Sequence, residues 1–497
     1  MLTNPAQKNA FCAAFAPLMV LLLAVHYAVA QEPVARSRIE ELRSIREHLL
    51  LADPSDRPHL RFFTLTHLRG DGSNSSDEIG YVSAAITKLL NSLSWQTEIY
   101  VPVSVAGTQG RVLAIDLRKL KWSDGRQWLQ IVNQYPYGLK FNYVKDVELK
   151  QLANDIQELS GVEMPSVRGD WFVAVASRPP LYPQLLQLPE NLIELAAIVG
   201  VDLEKSLVEI SAVRAGILQS AISNQNRLIE RHESKYGALW LSYDFAARSS
   251  RSDLIRFPLG PRSTNNPFNS IAFEPDLVQA IFHLPNGLQG YFVADREGNR
   301  MDDPLPVEIV HDPRAIAGIT AIVNGISCIH CHGQGVIGGF KDQVRSSSVV
   351  SGDSAKLLER LYLPLDQMEK LIQRDRQQFL AAARSAMPSL SNADNVEPIG
   401  LVIKIYSRDL EPDQVARELG FECIEQIRSQ IQNDRELKRL GIGTLISESP
   451  SSIKRVRWES VDGTSLFQDV AVELGLGTPV LAGSKRSYPH PVHHVSP

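Results

Sequence analysis

Five consecutive residues, Cys328-Ile329-His330-Cys331-His332, bring two thiols and an imidazole together at a spacing that could do chemistry. The C-x-x-C-H pattern is typical of the segment to which a c-type haem is attached. Each thiol can add to one vinyl group of the porphyrin, and the histidine that follows can supply the proximal nitrogen ligand of the iron. The chain has only 4 cysteines and 12 histidines in 497 residues, so a chance match is rare. The sequence therefore predicts one covalent haem c on Cys328 and Cys331, with His332 as the proximal iron ligand.

Two other uses of the Cys328 and Cys331 pair stay open. Half of a tetrahedral zinc site would need further thiolate or imidazole ligands at short spacings, and the sequence holds no second cluster of that kind. A thioredoxin-like dithiol would stand where a helix begins after a strand, whereas residues 333–335, Gly-Gln-Gly, do not indicate a helix. Because His332 already takes the proximal side, we expect the side chain of His330 to face solvent.

A second ligand for the iron can be sought among the methionines after the motif. Met368 shares an apolar stripe with Phe379 in a predicted helix over residues 366–386, which favours a core position. Met387 follows that helix, at a distance along the chain from His332 similar to that of the methionine ligand in class I cytochromes c. A thioether there would raise the reduction potential of the iron and suit electron transfer. An ordinary apolar contact at the helix end explains Met387 equally well.

The first 30 residues have the pattern of a cleavable secretory signal. Lys8 gives a positive start, Phe11 to Val25 form an apolar core, and Ala28-Val29-Ala30 is typical of a cleavage site. The apolar run is short for a membrane span, and no later stretch is long enough for one, so we do not expect a transmembrane protein. Export agrees with covalent haem attachment, which takes place outside the cytoplasm. The expected location is the periplasm or another extracytoplasmic compartment.

Cleavage after Ala30 would leave 497 − 30 = 467 residues, a length for roughly three domains. The net charge would move from −5 to −6, because Lys8 is the only ionised side chain lost. This mild acidity does not favour nucleic acid as a partner. Cys12 leaves with the signal, and the haem takes two thiols, so Cys423 alone remains and a disulfide framework is excluded. Cys423 lies in an apparently helical pattern and is expected to be a buried small hydrophobe.

Apolar periodicity predicts an α+β, multi-domain chain, in which a mixed N-terminal α+β region precedes a mostly helical haem domain. Residues 31–165 form an N-terminal α+β domain, with helices over 31–55 and 145–160 and a hairpin between 99 and 117. Residues 166–311 form a second α+β region, with helical segments near 190–230, a hairpin around Asn286-Gly287 and a strand at 307–310. His283 and His311 lie at or near strand ends and could face the haem edge, although hydrogen-bonded histidines are commoner at such positions.

The remaining predicted units are a cytochrome c-like haem domain over 312–395, a helical C-terminal extension over 396–483 and a disordered tail over 484–497. In the haem domain a helix over about 312–324 leads into the motif, and two helices follow near 353–363 and 366–386. The order of a helix and then C-x-x-C-H is similar to the start of the class I cytochrome c fold.

Three further segments of the chain are distinctive, namely Arg178-Pro179-Pro180-Leu181-Tyr182, His283-Leu284-Pro285-Asn286-Gly287-Leu288-Gln289-Gly290-Tyr291 and Gly325-Ile326-Ser327-Cys328. Through these segments and the C-x-x-C-H motif, most of the mature chain resembles a group of large secreted cytochrome c domain proteins of planctomycete-type bacteria. The resemblance implies haem binding and electron transfer, with Cys328 and Cys331 as attachment residues and His332 as axial ligand. It implies no substrate.

Three functions are compatible with these patterns. The first is an electron carrier that exchanges electrons with a redox partner protein, which the sequence does not identify. The second is a haem-dependent oxidoreductase whose N-terminal region binds a substrate, with the region of Trp171, Arg178, Tyr182 and Tyr291 as the place to look. The third is a haem sensor with an open sixth position on the iron. Residues 56–310, which would form the substrate-binding domain, show no nucleophile–base pair, phosphate loop or flavin fingerprint, so the sequence leaves open whether the chain is an enzyme.

Overall fold

The computed structural model describes residues 33–68, 75–141, 144, 146–223, 225–247, 250–311, 321–390 and 397–481. The predicted signal segment, the predicted tail over 484–497 and most of the helix predicted over 312–324 lie outside these residues. Among the described residues, no helix is both long enough and apolar enough to span a membrane.

The first sheet has four strands, β1 Leu60–Thr64, β2 Val103–Ser104, β3 Val112–Asp116 and β5 Ser166–Arg168, in the order β2-β3-β1-β5. Strand β1 is antiparallel to β3 and parallel to β5. Phe62 on one face of β1 packs with helices α1 Pro33–Leu51 and α4 Val147–Ser160. Phe63 on the other face packs with α2 Ser75–Ser92 and α5 Gly169–Ala176 in the apolar cluster that forms the main core. The predicted helices over 31–55 and 145–160 and the hairpin between 99 and 117 are confirmed, with somewhat shorter elements. In chain order the elements are α1 Pro33–Leu51, β1 Leu60–Thr64, α2 Ser75–Ser92, β2 Val103–Ser104, β3 Val112–Asp116, α3 Arg126–Asn133, β4 Leu139–Lys140, α4 Val147–Ser160, β5 Ser166–Arg168 and α5 Gly169–Ala176.

The second sheet is an antiparallel meander of five strands in the order β10-β9-β8-β7-β6. Its elements and the helices before it are α6 Leu181–Leu185, α7 Leu192–Ile198, α8 Leu203–Val208, β6 Val213–Ile217, β7 Arg227–Ser234, β8 Gly237–Asp244, β9 Leu277–His283 and β10 Gln289–Asp295. The predicted hairpin is confirmed, and Gly287 at its turn has a φ of +86°.

Two secondary-structure predictions in this region are wrong. The helical segments predicted near 190–230 end at Val208, and the residues that follow form β6 and β7, which pair with each other in antiparallel register. The strand predicted at 307–310 is a turn closed by a hydrogen bond from the Val310 amide to the Pro306 carbonyl.

The C-terminal half is mostly helical, as predicted. Its elements are α9 Ile326–Cys331, α10 Asp353–Leu361, α11 Leu365–Ser385, α12 Pro398–Tyr406, α13 Pro412–Glu418, α14 Arg428–Asn433, α15 Arg435–Arg439, α16 Arg455–Glu459, β11 Val461–Asp462, β12 Thr464–Ser465, α17 Leu466–Glu473 and β13 Thr478–Pro479. Met368 is buried in the core, as expected. Residues 321–325 are not helical, which contradicts the described part of the helix predicted before the motif. Cys423 is partly buried in extended backbone before a short 3-10 turn and not in a helix.

The predicted α+β class is confirmed, with both sheets and a long helical part present. One apolar cluster runs from Phe63 to Ala471, so it draws on the predicted N-terminal domain, the second region, the haem domain and the C-terminal extension. Each of these parts therefore buries its apolar face against the others.

Candidate functional site

The motif lies on the six-residue helix α9, and a glycine fixes where that helix begins. Gly325 has a φ of +84°, and a Cβ there would lie 2.4 Å from the Ser177 carbonyl oxygen and 2.8 Å from the Tyr182 ring. Ile326 and Ile329 of α9 are buried in the main core. These contacts hold one face of α9 against the core. Cys328 and Cys331 lie on a different face of the helix.

Cys328, Cys331 and His332 line one cavity of about 560 Å³. This volume falls within the range of roughly 300 to 1,000 Å³ that is typical of cofactor and ligand sites. One wall is the second sheet, where Trp240, Ile281 and Tyr291 are paired side by side on β8, β9 and β10 and therefore face the same way. The rest of the wall comes from strands β6 and β7 and from the segment 336–340 after the motif. Residues 312–395 therefore do not build this cavity alone.

The imidazole of His332 is oriented by its neighbours. Its Nδ1 lies 3.3 Å from the Gly335 carbonyl oxygen, and its ring stacks on the Tyr291 ring with centroids 6.1 Å apart and planes 27° apart. A proton on Nδ1 that is donated to a carbonyl leaves the lone pair on Nε2. Metal-ligating histidines in proteins are commonly fixed in this way.

The thiol of Cys328 is in an environment unlike that of a redox-active dithiol. Cys328 is accessible from the cavity but lies deep in the protein, and this burial raises the pKa of its thiol to about 11. Dithiol oxidoreductases need the opposite, a thiol pKa lowered by nearby positive charge or a helix N-terminus. The surroundings of Cys328 therefore favour haem attachment over the thioredoxin-like alternative.

One side of the cavity carries a guanidinium group that a buried carboxylate holds in place. Arg227 lines the cavity, and its Nε and an Nη donate to the two carboxylate oxygens of Asp244 at 2.6 and 2.8 Å. Asp244 is fully buried, and Gln279 donates to the same carboxylate at 2.8 Å. A bidentate pair of this kind holds the guanidinium in one orientation. It can meet an acidic group inside an otherwise largely apolar cavity.

The structure does not bring Met387 to this cavity. Met387 follows the end of α11 and packs against the main core, and it is not among the residues that line the cavity. His283 is also elsewhere, since its Nδ1 accepts the Ala238 amide at 3.0 Å. His330 lies beside Gly400, where a Cβ would be 3.0 Å from its Nδ1. Of the four residues Met387, His283, His330 and His332, His332 alone lines the cavity.

The region proposed for a substrate is mostly core. Trp171 and Tyr182 are buried, and the Tyr182 hydroxyl oxygen accepts a hydrogen bond from the Tyr291 amide at 2.9 Å. Of the four residues named for that region, Tyr291 alone lines the cavity. Sequence reasoning missed Arg227 and Trp240, because the apolar residues of β7 and β8 do not alternate in a way that indicates which face each side chain takes.

Within the part of the chain that the structure describes, no group of three or more His, Cys, Asp or Glu side chains is placed to hold a metal ion. Haem iron needs only one or two protein ligands, so this finding does not test the haem prediction. Comparison of the chain with protein-family models, with curated proteins and with solved structures gave no match.

Proposed function

We propose that the protein is an exported c-type haem protein that carries one haem and transfers electrons to and from a partner protein. Cys328 and Cys331 would form the two thioethers, and His332 would bind the iron through Nε2. The observation that carries this proposal is the opening of all three side chains into one cavity of about 560 Å³. The resemblance to secreted cytochrome c domain proteins of the planctomycete type supports the same function.

The haem would supply reversible one-electron chemistry when bound. The chain's own residues would set the conditions for it. The Gly335 carbonyl orients His332, and Trp240 and Ile281 give the cavity an apolar wall. Arg227, held by Asp244, would donate a hydrogen bond to a propionate group. Burial and hydrogen bonding of these kinds are the means by which a protein tunes an iron potential.

A second candidate is a haem protein that binds a small ligand at the iron. Among the described residues that line the cavity, His332 is the only histidine, and no methionine is present. This arrangement favours an open sixth position more than the methionine ligation expected from the sequence. Binding of carbon monoxide to the reduced protein would distinguish the two candidates, because it is fast only where the sixth position is open.

The test is to express the whole chain, with its N-terminal segment, in a host that matures c-type cytochromes. We expect the denatured protein to gain the mass of one haem and to show a sharp reduced α band. Replacing both Cys328 and Cys331 by Ala should abolish the mass gain. Cys423→Ala is the matched control, since Cys423 lies outside the cavity, and it should keep the haem. A bare mass with both motif thiols open to alkylation would refute the proposal.

A further inference from the structure

A second cavity, of about 150 Å³, lies at the first sheet and shares no lining residue with the cavity of the motif. Thr64 enters it from the carboxyl end of β1, and Arg168 enters it from the carboxyl end of the parallel strand β5. Helices α1 and α4 form one side, and residues 417–421 close it from the C-terminal half. Crevices at the carboxyl ends of parallel strands and between separate parts of a chain are common ligand sites.

The buried charges beside this cavity are matched to one another. Arg168 donates to both carboxylate oxygens of Asp170, at 3.2 and 2.7 Å, and to Glu418 at 2.9 Å. Glu418 also accepts from Arg455 at 2.6 Å, and Arg455 lies 3.8 Å from Glu459. Each of these buried groups therefore has an oppositely charged neighbour, so the cluster does not favour a charged ligand.

Two uncharged polar groups of the wall have no partner within the part of the chain that the structure describes. Thr64 is 8% exposed, and its hydroxyl makes no hydrogen bond to a described residue. The side chain of His67 is 9% exposed, and its Nε2 lies 2.9 Å from an Asp170 carboxylate oxygen. With the proton on Nε2, Nδ1 of the neutral ring is an acceptor, and it too has no described partner. Buried polar groups are rarely left unpaired, so these two point to a ligand with a polar group of its own.

The pleat of β1 directs Thr64 toward the cavity. Phe62, two residues earlier, packs with α1 and α4, whereas Phe63 faces the main core. Side chains two residues apart in a strand lie on the same face of the sheet. The Thr64 hydroxyl therefore lies between the sheet and these two helices, where the cavity is.

The apolar part of the wall sets the shape of the ligand. Five aromatic rings line the cavity, those of Tyr135, Tyr137, Phe141, Phe421 and Phe467. Aromatic walls favour a planar apolar body. A cavity of about 150 Å³ is of the size that accepts a single benzene ring.

We propose that this second cavity binds a neutral phenol, that is, a single aromatic ring that carries a hydroxyl group. The aromatic side chains would hold the ring, and Thr64 and His67 would bind the hydroxyl. A hydroxyl is both a donor and an acceptor, so it can donate to Nδ1 of His67 and accept from Thr64. The protein would then have a ligand-binding function besides the proposed haem function. The two proposals use different residues, so either can fail without the other.

The test is calorimetric titration of the whole chain, as isolated from the maturation host, with phenol itself. Toluene is the probe of the same shape without a hydroxyl, and benzoate is the charged probe. We expect one phenol per chain and at least tenfold weaker binding of toluene and of benzoate, because a site built for a hydroxyl rejects a ligand that leaves its polar groups unpaired.

Two variants place the bound phenol. Thr64→Val keeps the shape of the side chain and removes the hydroxyl, so it should weaken phenol binding at least fivefold and leave toluene binding unchanged. Thr87→Val is the matched control, because Thr87 is also buried but donates to the Ser83 carbonyl at 2.9 Å and does not line the cavity. Ala153→Leu, which fills the cavity from α4, should abolish phenol binding.

The proposal is overturned if the unmodified chain shows no saturable phenol binding, or if toluene or benzoate binds as tightly as phenol. It is also overturned if Thr64→Val or a folded Ala153→Leu binds phenol as the unmodified chain does, because the bound hydroxyl or ring would then lie elsewhere. The melting temperature of each variant shows whether it has kept its fold. Thr64→Val breaks no hydrogen bond to a described residue, so it tests the proposal even if Ala153→Leu does not fold.

Discussion

Met387 and His332, the two iron ligands that the sequence suggests, have different surroundings in the structure. His332 is in contact with Gly335 and Tyr291 at the wall of the large cavity, whereas Met387 packs against the main core. The thioether of Met387 thus has an apolar contact that accounts for its presence without the iron. Substitution of Met387 distinguishes an apolar contact with the core from a role as iron ligand.

We expect Met387→Ala to change stability and not the haem. Removing a partly buried side chain should lower the free energy of unfolding by about 1 to 2 kcal/mol, less than the roughly 2 to 5 kcal/mol of a fully buried methionine. The oxidised and reduced visible spectra should stay as they are. Denaturant unfolding and spectroscopy measure the two effects. A shift from a low-spin to a high-spin spectrum in the variant would instead identify Met387 as the sixth ligand.

At the level of single residues, the sequence could predict only what is local. Cys328, Cys331 and His332 are adjacent in the chain, so their spacing alone brings them together. Arg227 and Trp240 reach the same cavity from strands far away in sequence, and their positions depend on the register of a five-stranded sheet. No periodicity within one strand specifies that register. The wall of the cavity was therefore beyond prediction from the sequence, although the closeness of Cys328, Cys331 and His332 was not.

Among the secondary-structure elements, α9 depends on the backbone just before it. Gly325 combines a positive φ with a close approach to Ser177 and Tyr182, and a side chain of any size would collide with both. Gly352 also has a positive φ, +64°, and precedes helix α10, but a Cβ there would meet nothing within 4 Å. Alanine substitutions at the two glycines therefore separate two effects. Both variants have the cost of a positive φ, and only Gly325→Ala adds a collision.

We expect Gly352→Ala to cost about 1 to 2 kcal/mol of unfolding free energy, the penalty for a left-handed backbone. Gly325→Ala should cost at least about 2 kcal/mol more, because α9 must move away from residues 177–182. The displaced helix should also lower the fraction of chains that carry covalent haem. Denaturant unfolding and intact mass give both quantities. Equal losses for the two variants would mean that the contact of Gly325 with Ser177 and Tyr182 does not fix the position of α9.

The predictions of individual elements succeeded where the turn chemistry was local and failed where tertiary context decided. Asn286-Gly287 specified its hairpin, because a tight turn needs the positive φ that Gly287 adopts. Residues 213–217 were included in a helical stretch, although they form strand β6, whose pairing with β7 buries Arg214 against Glu230. A buried arginine breaks the apolar pattern from which strands are recognised.

For the whole molecule, buried carboxylates connect distant parts of the chain. Glu418 of α13 accepts from Arg168 of β5 and from Arg455 of α16, and it also accepts from the indole of Trp458 at 2.8 Å. Burial alone would raise the pKa of Glu418, but the two guanidinium groups outweigh it and lower the pKa to about 2. In the second sheet, Arg214 and His232 likewise outweigh burial and lower the pKa of Glu230 to about 2.

These shifts predict acid sensitivity. A carboxyl whose pKa is lower in the folded than in the unfolded chain contributes stability above its ordinary pKa, here near 4.5, and loses it as the pH falls toward the folded value. The lowering from 4.5 to about 2 corresponds to about 3 kcal/mol for Glu418. We therefore expect the free energy of unfolding to be flat near neutral pH and to fall between about pH 5 and pH 2.

Glu418→Gln tests whether this residue carries its part of that dependence. The variant leaves two buried guanidinium groups with one anionic partner fewer, so its unfolding free energy at pH 7 should fall by about 3 kcal/mol or more. Its loss of stability between pH 5 and pH 2 should be smaller than that of the unmodified chain. Glu425→Gln is the control, because Glu425 pairs with Arg428 at the surface, where solvent weakens the pair, and it should reduce the acid dependence far less than Glu418→Gln does. An acid dependence in Glu418→Gln as steep as in the unmodified chain would show that Glu418 does not contribute to it.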